Sequence, residues 1–262
     1  MGAAELAAAK VTLLRAVREA GALMLEGAGE LRVEAKGPTD IVTDVDRRCE
    51  ALVAALIRGA HPGHALLAEE GTQVSGGSGG LWLLDPLDGT KNYAHGLPRY
   101  ACSLAFTWGG ATVLGAVYNP STAELFVAEQ GGGATLNGAT LRVSATVELA
   151  SALVGSALTV QRRYVPDHFA RLAALTSASQ GVRVQGCAAL DLCDVARGRL
   201  EAYLEEGLDP WDTAAGALIV REAGGAVTTF SGLPHDPFGA QTLASNGPIG
   251  EALVALLAAG AG

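Results

Sequence analysis

Leu81-Trp82-Leu83-Leu84-Asp85-Pro86-Leu87-Asp88-Gly89-Thr90 runs an apolar segment directly into two carboxylates and a Gly-Thr turn. The apolar residues read as a buried strand that carries Asp85 to the edge of the core. Pro86, which has no N–H, is expected to stop the ladder there, and Gly89 lets the backbone approach a ligand closely. The outline is that of a metal and phosphate site. Other acids also follow or open apolar elements: Glu69-Glu70 after Ala65-Leu66-Leu67-Ala68, Asp40 and Asp46 with Thr43 in DIVTDVD, and Asp212 in WDTAAG. Taken singly, each motif has an ordinary reading: a solvated Glu-Glu turn, a DGT strand terminator, an aspartate capping a helix. Their combination outweighs those readings.

Five acidic positions, Asp46, Glu69, Asp85, Asp88 and Asp212, are therefore candidates to converge. Ionised carboxylates packed closely repel one another, and some would protonate without compensation. A divalent cation resolves that conflict. These motifs hold no His or Cys ligand, so a hard ion with oxygen ligands is expected, Mg²⁺ in preference to Zn²⁺, with Mn²⁺ as a substitute. The side chain of Leu87 has no ligand atom, so that residue would contribute its carbonyl.

At 262 residues the chain is long enough for a large core, as one domain or two closely joined lobes. With 49% apolar and 17% charged residues it reads as globular, and no apolar run approaches the roughly 20 residues of a membrane span. The formal charge of −9 opposes attraction to phosphate backbones and anionic lipid, so neither nucleic acid nor membrane is an expected partner. Cys49, Cys102, Cys187 and Cys193 are widely spaced without a CxxC pair and read as buried free thiols. The first ten residues lack a basic segment followed by an apolar core, so a cytoplasmic location is expected.

Spacing of apolar residues predicts a first helix from about Ala3 to Glu26, stopped by Gly27. A second, capped by Thr43 or Asp44 and ended by His61-Pro62-Gly63, places Asp46 in its first turn. A Gly/Pro turn at Lys36-Gly37-Pro38 precedes it. The loop from Gly71 to Gly80 contains GGSGG and reads as mobile beside the acids. Residues from about 100 to 143 read as antiparallel hairpins. Beyond about 147, strand-like ALVGS, VRVQG, LEAYLE, AVTTF and QTLASN alternate with helical segments near 166–178, 188–197, 212–223 and 248–259. Asp212 would start one of these helices. The division is thus an N-terminal α+β lobe, 1–146, carrying most of the acids, and a C-terminal α/β lobe, 147–262, in one catalytic unit.

Outside the acids, His95 reads as a surface or supporting residue, and Trp211 and Tyr203 as packing residues. Lys36 is a candidate partner for phosphate or carboxylate, although an exposed turn lysine is the commoner case, and Lys91 is ambiguous in the same way. Cys187 reads as a small inert residue in preference to an activated thiol.

The ordered set LAEEG (67–71), WLLDPLDGTKNYAHG (82–96) and PWDTAAGALIVREAGG (210–225), supported by DIVTDVD and GCAALDL, resembles the inositol monophosphatase family over nearly the whole chain. This superfamily of Mg²⁺-dependent, lithium-sensitive phosphatases also includes fructose bisphosphatases, bisphosphate nucleotidases and certain histidinol phosphatases. The resemblance implies an α+β fold, a layered αβαβα sandwich, and a homodimer. It implies that Glu69, Asp85 and the Leu87 carbonyl hold one Mg²⁺ and that Asp85, Asp88 and Asp212 hold a second, with Glu69 touching a weaker third. Catalysis would fall to Thr90 and Asp46, which orient or deprotonate a metal-activated water that attacks phosphorus directly, with Glu69 assisting through its metals.

By the same resemblance, the backbone N–H groups of Gly89 and Thr90 would cradle phosphate. Asp88, Ala188, Glu205 and Asp212 would meet the rest of a polyol phosphate. The chain departs from the family pattern at Lys91, Tyr93, Cys187 and Val184, where threonine, phenylalanine, serine or threonine, and a basic residue are usual. The expected activity is hydrolysis of inositol 1-phosphate or a related polyol phosphate. Histidinol phosphate and 3′(2′),5′-bisphosphate nucleotides are the alternatives, and a regulatory binding protein on the same fold is the non-enzymatic one.

Overall fold

The computed structural model describes residues 1–29, 31–37, 40–77, 79–158 and 165–259. Pro38 of the anticipated turn and Ser78 of GGSGG lie outside them.

Helices α1 (Ala3–Gly27) and α2 (Asp44–Ala60) form the first layer. Their buried residues, Ala9, Leu13, Ala16, Val17, Ala20 and Met24 on one and Val45, Cys49, Val53 and Ile57 on the other, recur at helical spacing. They face an eight-stranded sheet built from β3 (Ala65–Ala68), β4 (Gln73–Val74), β5 (Gly80–Asp88), β6 (Ala101–Trp108), β7 (Ala111–Asn119), β8 (Glu124–Glu129), β9 (Gly133–Leu136) and β10 (Ala139–Thr140), in the order β10-β9-β8-β7-β6-β5-β3-β4. Only β3 and β5 pair in parallel; the remaining neighbours are antiparallel. A short hairpin of β1 (Val33–Ala35) and β2 (Ile41–Thr43) stands apart from this sheet.

Strand β5 is apolar on both faces because both are covered. Trp82 and Leu84 pack with α1 and α2, while Leu83 joins a second core with α5 (Ala188–Ala196) and α6 (Pro210–Glu222). These helices form the middle layer. Every residue of α6 from Thr213 to Val220 is buried, as expected for a helix enclosed between sheets. A Cβ on Gly216 would stand 2.6 Å from Leu192 Cδ1, so the glycine allows α5 and α6 to touch.

Beyond them lies a five-stranded sheet, β12-β11-β13-β15-β14, of β11 (Leu153–Ser156), β12 (Gly181–Val184), β13 (Ala202–Glu206), β14 (Ala226–Thr228) and β15 (Gln241–Ser245). Its outer face packs Val154, Leu204 and Leu243 against Leu175 of α4 (Val165–Ala178) and Leu253 and Leu257 of α7 (Gly250–Ala259). The order helix, sheet, helix, sheet, helix is the αβαβα sandwich. Among the described residues no helix is long and apolar enough to cross a membrane.

Three local expectations require correction. Pro86 does not end β5: the strand continues to Asp88 through a register shift against β6 between Asp85 and Asp88, and an irregularity of this kind tolerates a residue without an N–H. Helix α6 begins at Pro210, capped by Asp209, so Asp212 occupies its third position and does not start it. The glycine loop is not beside the acids. Gly77 N donates to Gly63 O at 3.2 Å, and a Cβ on Gly76 would stand 2.3 Å from Ala65 N, which puts the loop at the opposite ends of β3 and β5 from Glu69 and Asp85.

Candidate active site

The parallel pairing of β3 with β5 brings the first acids together. Ala68 lies opposite Leu84, so Glu69, just past the end of β3, and Asp85, still within β5, come side by side, and Glu69 N donates to Leu84 O at 3.2 Å. On its other flank Asp85 pairs with Ser103 of β6, whose Oγ donates to Trp211 O at 3.1 Å. That bond holds the first turn of α6, and with it Asp212, against the sheet. The irregularity in β5 then redirects the chain so that Asp88 faces α5. Its Oδ2 accepts from Ala189 N at 2.7 Å and from Cys187 Sγ at 3.1 Å, supplying a carboxylate to the open N–H groups of that helix.

Glu69, Asp85, Leu87, Asp88, Gly89, Thr90, Ala188, Glu205 and Asp212 all line one cavity of ≈ 370 Å³, with Asp40 and Lys91 also in its wall. Asp46 lies behind it, fully buried. Thr90 Oγ1 is 2.9 Å from Asp46 Oδ1 and 3.0 Å from Leu87 O, while Thr43 N donates to Asp46 Oδ2 at 2.9 Å. Thr43 and Asp46 form a capping box on α2, so the structure that starts the helix also fixes the carboxylate behind Thr90. At Gly89, φ is +85° and a Cβ would stand 2.8 Å from Arg99 O. Only glycine fits that turn.

Burial and mutual repulsion dominate the electrostatics. Asp85 is 2% exposed. Burial first, then the charges of Glu69, Asp88 and Asp212, push its carboxyl well above the usual range. Asp212 is raised well above it by the same causes, burial ahead of the charge of Asp88. Glu69 is pushed up to about 7 by burial, although Lys36 opposes the shift. Asp88 is raised by burial, against the donors from Ala189 and Cys187. A set of oxygen donors whose negative charges are this costly fits a hard divalent cation. Among the described residues no three His, Cys, Asp or Glu side chains are gathered into a coordination cluster. The acids share the cavity wall, and Lys36 Nζ meets Glu69 Oε1 at 3.0 Å and Glu70 Oε1 at 2.5 Å.

Lys36 is therefore a carboxylate partner, the first of the two readings open for it, and not merely an exposed turn lysine. Tyr203 is also more than packing: on β13 it lies two residues from Glu205, hence on the same face, and its hydroxyl donates to the Glu205 carboxylate. Burial pushes Glu205 up to about 7 despite that bond. Cys187 is buried and its thiol is driven up, first by desolvation and then by Asp88, which agrees with an inert residue. His95 is exposed and lies outside the cavity wall.

Sequence reasoning passed over three supporting residues. Glu50 of α2 is buried and accepts from Glu70 N at 2.7 Å and Thr72 N at 2.9 Å, fastening the turn after Glu69. Arg99 reaches both Asp191 and Asp194 of α5, and Asp191, pushed up to about 7 by burial, lines the cavity. Nothing in local spacing marks these residues, because each acts on an element distant in sequence.

The sequence profile of the inositol monophosphatase family matches residues 5–260, and the chain belongs to that family. It is 42% identical over 224 residues to a Vibrio cholerae protein named Nus factor SuhB, covering 84% of each chain. It is 41% identical over 248 residues to the inositol-1-monophosphatase of a Synechocystis strain, covering 93% of this chain and 86% of that one. Among solved structures, extragenic suppressor protein suhB from Bartonella henselae superposes with a TM-score of 0.92 at 36% identity, over 95% of this chain and 98% of that one. Membership supports a phosphatase of this superfamily acting on small phosphate esters.

Proposed function

We propose that the chain is a Mg²⁺-dependent phosphomonoesterase acting on inositol 1-phosphate or a closely related polyol phosphate. The observation that carries this reading is the convergence of Glu69 at the end of β3, Asp85 and Asp88 of β5 and Asp212 of α6 on the cavity that also contains Gly89 and Thr90. In this reading residues 1–146 contribute Asp46, Glu69, Asp85, Leu87, Asp88 and Thr90, and residues 147–262 contribute Ala188, Glu205 and Asp212, so neither half is active alone. Glu69, Asp85, the Leu87 carbonyl, Asp88 and Asp212 would hold two Mg²⁺ ions, with Glu69 reaching a third. When bound, Mg²⁺ supplies positive charge to the phosphoryl oxygens and leaving group and lowers the pKa of water.

The chain's own residues do the positioning. A threonine hydroxyl has one proton, and when Thr90 gives it to Asp46 its oxygen is left with lone pairs to accept from an attacking water. Donors from Thr43 hold Asp46 in place to receive that proton. The left-handed turn at Gly89 presents the N–H groups of residues 89 and 90 to phosphate. Glu205, oriented by Tyr203, is a hydrogen-bond acceptor for polyol hydroxyls across the cavity. Comparing phosphate release from inositol 1-phosphate, histidinol phosphate and adenosine 3′,5′-bisphosphate tests the assignment. Inositol 1-phosphate is expected to have the highest kcat/KM, and finding it the poorest of the three would overturn the specificity.

A second reading is favoured by one observation: a relative at 42% identity carries the name of a Nus factor and not that of an enzyme. On that reading the chain works by binding a macromolecule, and Asp88→Asn, which removes a charge with little change of volume, would abolish hydrolysis and leave the biological role intact.

A further inference from the structure

A second cavity, of ≈ 470 Å³, lies at the other end of α6. Asp212, near the start of that helix, faces the candidate active site, while Leu218 and Arg221, near its end, line the second space. Nine residues of helix separate Asp212 from Arg221, roughly 14 Å along the axis. Leu81 and Leu83 of β5 join Leu218 in an apolar wall, and the loop at 235–238 closes the space with His235, Asp236 and Phe238.

Two of its charged groups, Arg221 and Asp236, are exposed and unpaired among the described residues. Among the described residues Arg221 forms no ion pair; the only hydrogen bond of its guanidinium there is a long one, 3.4 Å, to the backbone oxygen of His235. The adjacent acid does not neutralise it, because Glu222 accepts from Gly131 N at 2.8 Å and Gly133 N at 2.9 Å. Asp236 is exposed, accepts from Phe238 N at 3.0 Å and likewise forms no ion pair among the described residues. His235 neighbours both, since Arg221 reaches its backbone oxygen and Asp236 follows it in the chain; it is 8% exposed, its Nε2 meets Thr242 Oγ1 at 3.2 Å and its Nδ1 has no partner among the described residues. The imidazole feels both charges. Burial first and Arg221 second hold it down to about 4, with Asp236 opposing, so it is neutral at physiological pH.

A guanidinium and a carboxylate that line one cavity with one imidazole and do not pair with each other are complementary to a molecule that carries both a carboxylate and an ammonium. Arg221 is suited to a carboxylate, which it can grip with two N–H groups, and an Nδ1–H on His235 would add a third donor. Asp236 is suited to an ammonium, and the leucine wall to an apolar body. We propose that this cavity is a binding site for a zwitterionic α-amino acid with an apolar side chain, separate from the phosphate site.

Isothermal titration calorimetry of the intact protein with L-phenylalanine and L-leucine tests this. Phenylacetate and phenethylamine, which keep one charge each, serve as comparison ligands, and Arg221→Gln and Asp236→Asn as variants. Saturable one-site binding of at least one amino acid is expected, weakened about tenfold or more by loss of either charge from ligand or protein. Both variants should melt within a few degrees of the parent, since neither residue is a packed part of the core. Absence of saturable heat with both amino acids would overturn the proposal, as would binding that is indifferent to both substitutions. Concentration-dependent self-association abolished by Phe238→Ser would also overturn it, assigning this face to a second copy of the chain.

Discussion

At Thr90 the whole catalytic proposal narrows to one hydroxyl. In the proposed mechanism its proton goes to Asp46, 2.9 Å away, and Asp46 is held by Thr43 in the capping box of α2. Thr90→Val keeps the shape and removes the relay. Its expected effect is a fall in kcat of about 100-fold or more with KM nearly unchanged, since proton transfer contributes on that scale. The acids make a second residue-level claim, about pH. Glu69 and Glu205 sit near 7, and Asp85 and Asp212 well above the usual carboxylate range. An acid whose pKa is raised by folding stabilises the folded state below its unfolded pKa, about 4, and loses that contribution as pH rises through the folded value. His235, held down to about 4, has the opposite sign: its contribution is present above about 6.5 and lost as pH falls. The metal-free protein is therefore expected to melt at a lower temperature near pH 8 than near pH 6, and added Mg²⁺ to raise the melting temperature more at the higher pH. Thermal melts in EDTA and in Mg²⁺ at the two pH values check this; equal gains at both would contradict the electrostatic account.

The elements that hold these residues depend on a few close contacts. Gly216→Ala would force a Cβ against Leu192 at the α5–α6 crossing, which is expected to cost about 1–3 kcal/mol in denaturant unfolding. Thr43→Val removes the cap of α2, at about 1 kcal/mol or somewhat more, and also loosens Asp46, so activity should fall further than stability alone explains. How far the sequence discloses these elements follows from the range of the forces involved. Strand β5, helices α1 and α2 and the hairpins after residue 100 are legible because alternation, helical spacing and turn residues are local signals. The continuation of β5 past Pro86 is not, since it depends on Ser103 and Ala101 of β6 receiving the shifted register. Nor is the start of α6 at Pro210, where Asp209 and Asp212 both offer capping carboxylates and only the folded turn decides between them. The site follows the same division. Asp85, Asp88, Gly89 and Thr90 announce themselves in one motif, whereas Glu50 and Arg99 act across elements and carry no local mark.

On the scale of the molecule, the sandwich places its middle helices where they serve both sheets. Asp88 from the first sheet docks on α5, Ser103 from the same sheet holds α6, and Glu205 from the second sheet faces them across the cavity. The resemblance of DPLDGT and WDTAAG to a known family made the layer order an expectation, which neither composition nor periodicity contained. The central claim, that these converging acids perform metal-dependent phosphate ester hydrolysis, has a direct test. Phosphate release from inositol 1-phosphate is measured for the parent protein and Asp88→Asn, each with Mg²⁺ and with EDTA. Turnover by the parent in Mg²⁺ alone, reduced at least about 100-fold in the variant, is the expected result. Turnover that survives EDTA, or that Asp88→Asn leaves unchanged, would contradict the account.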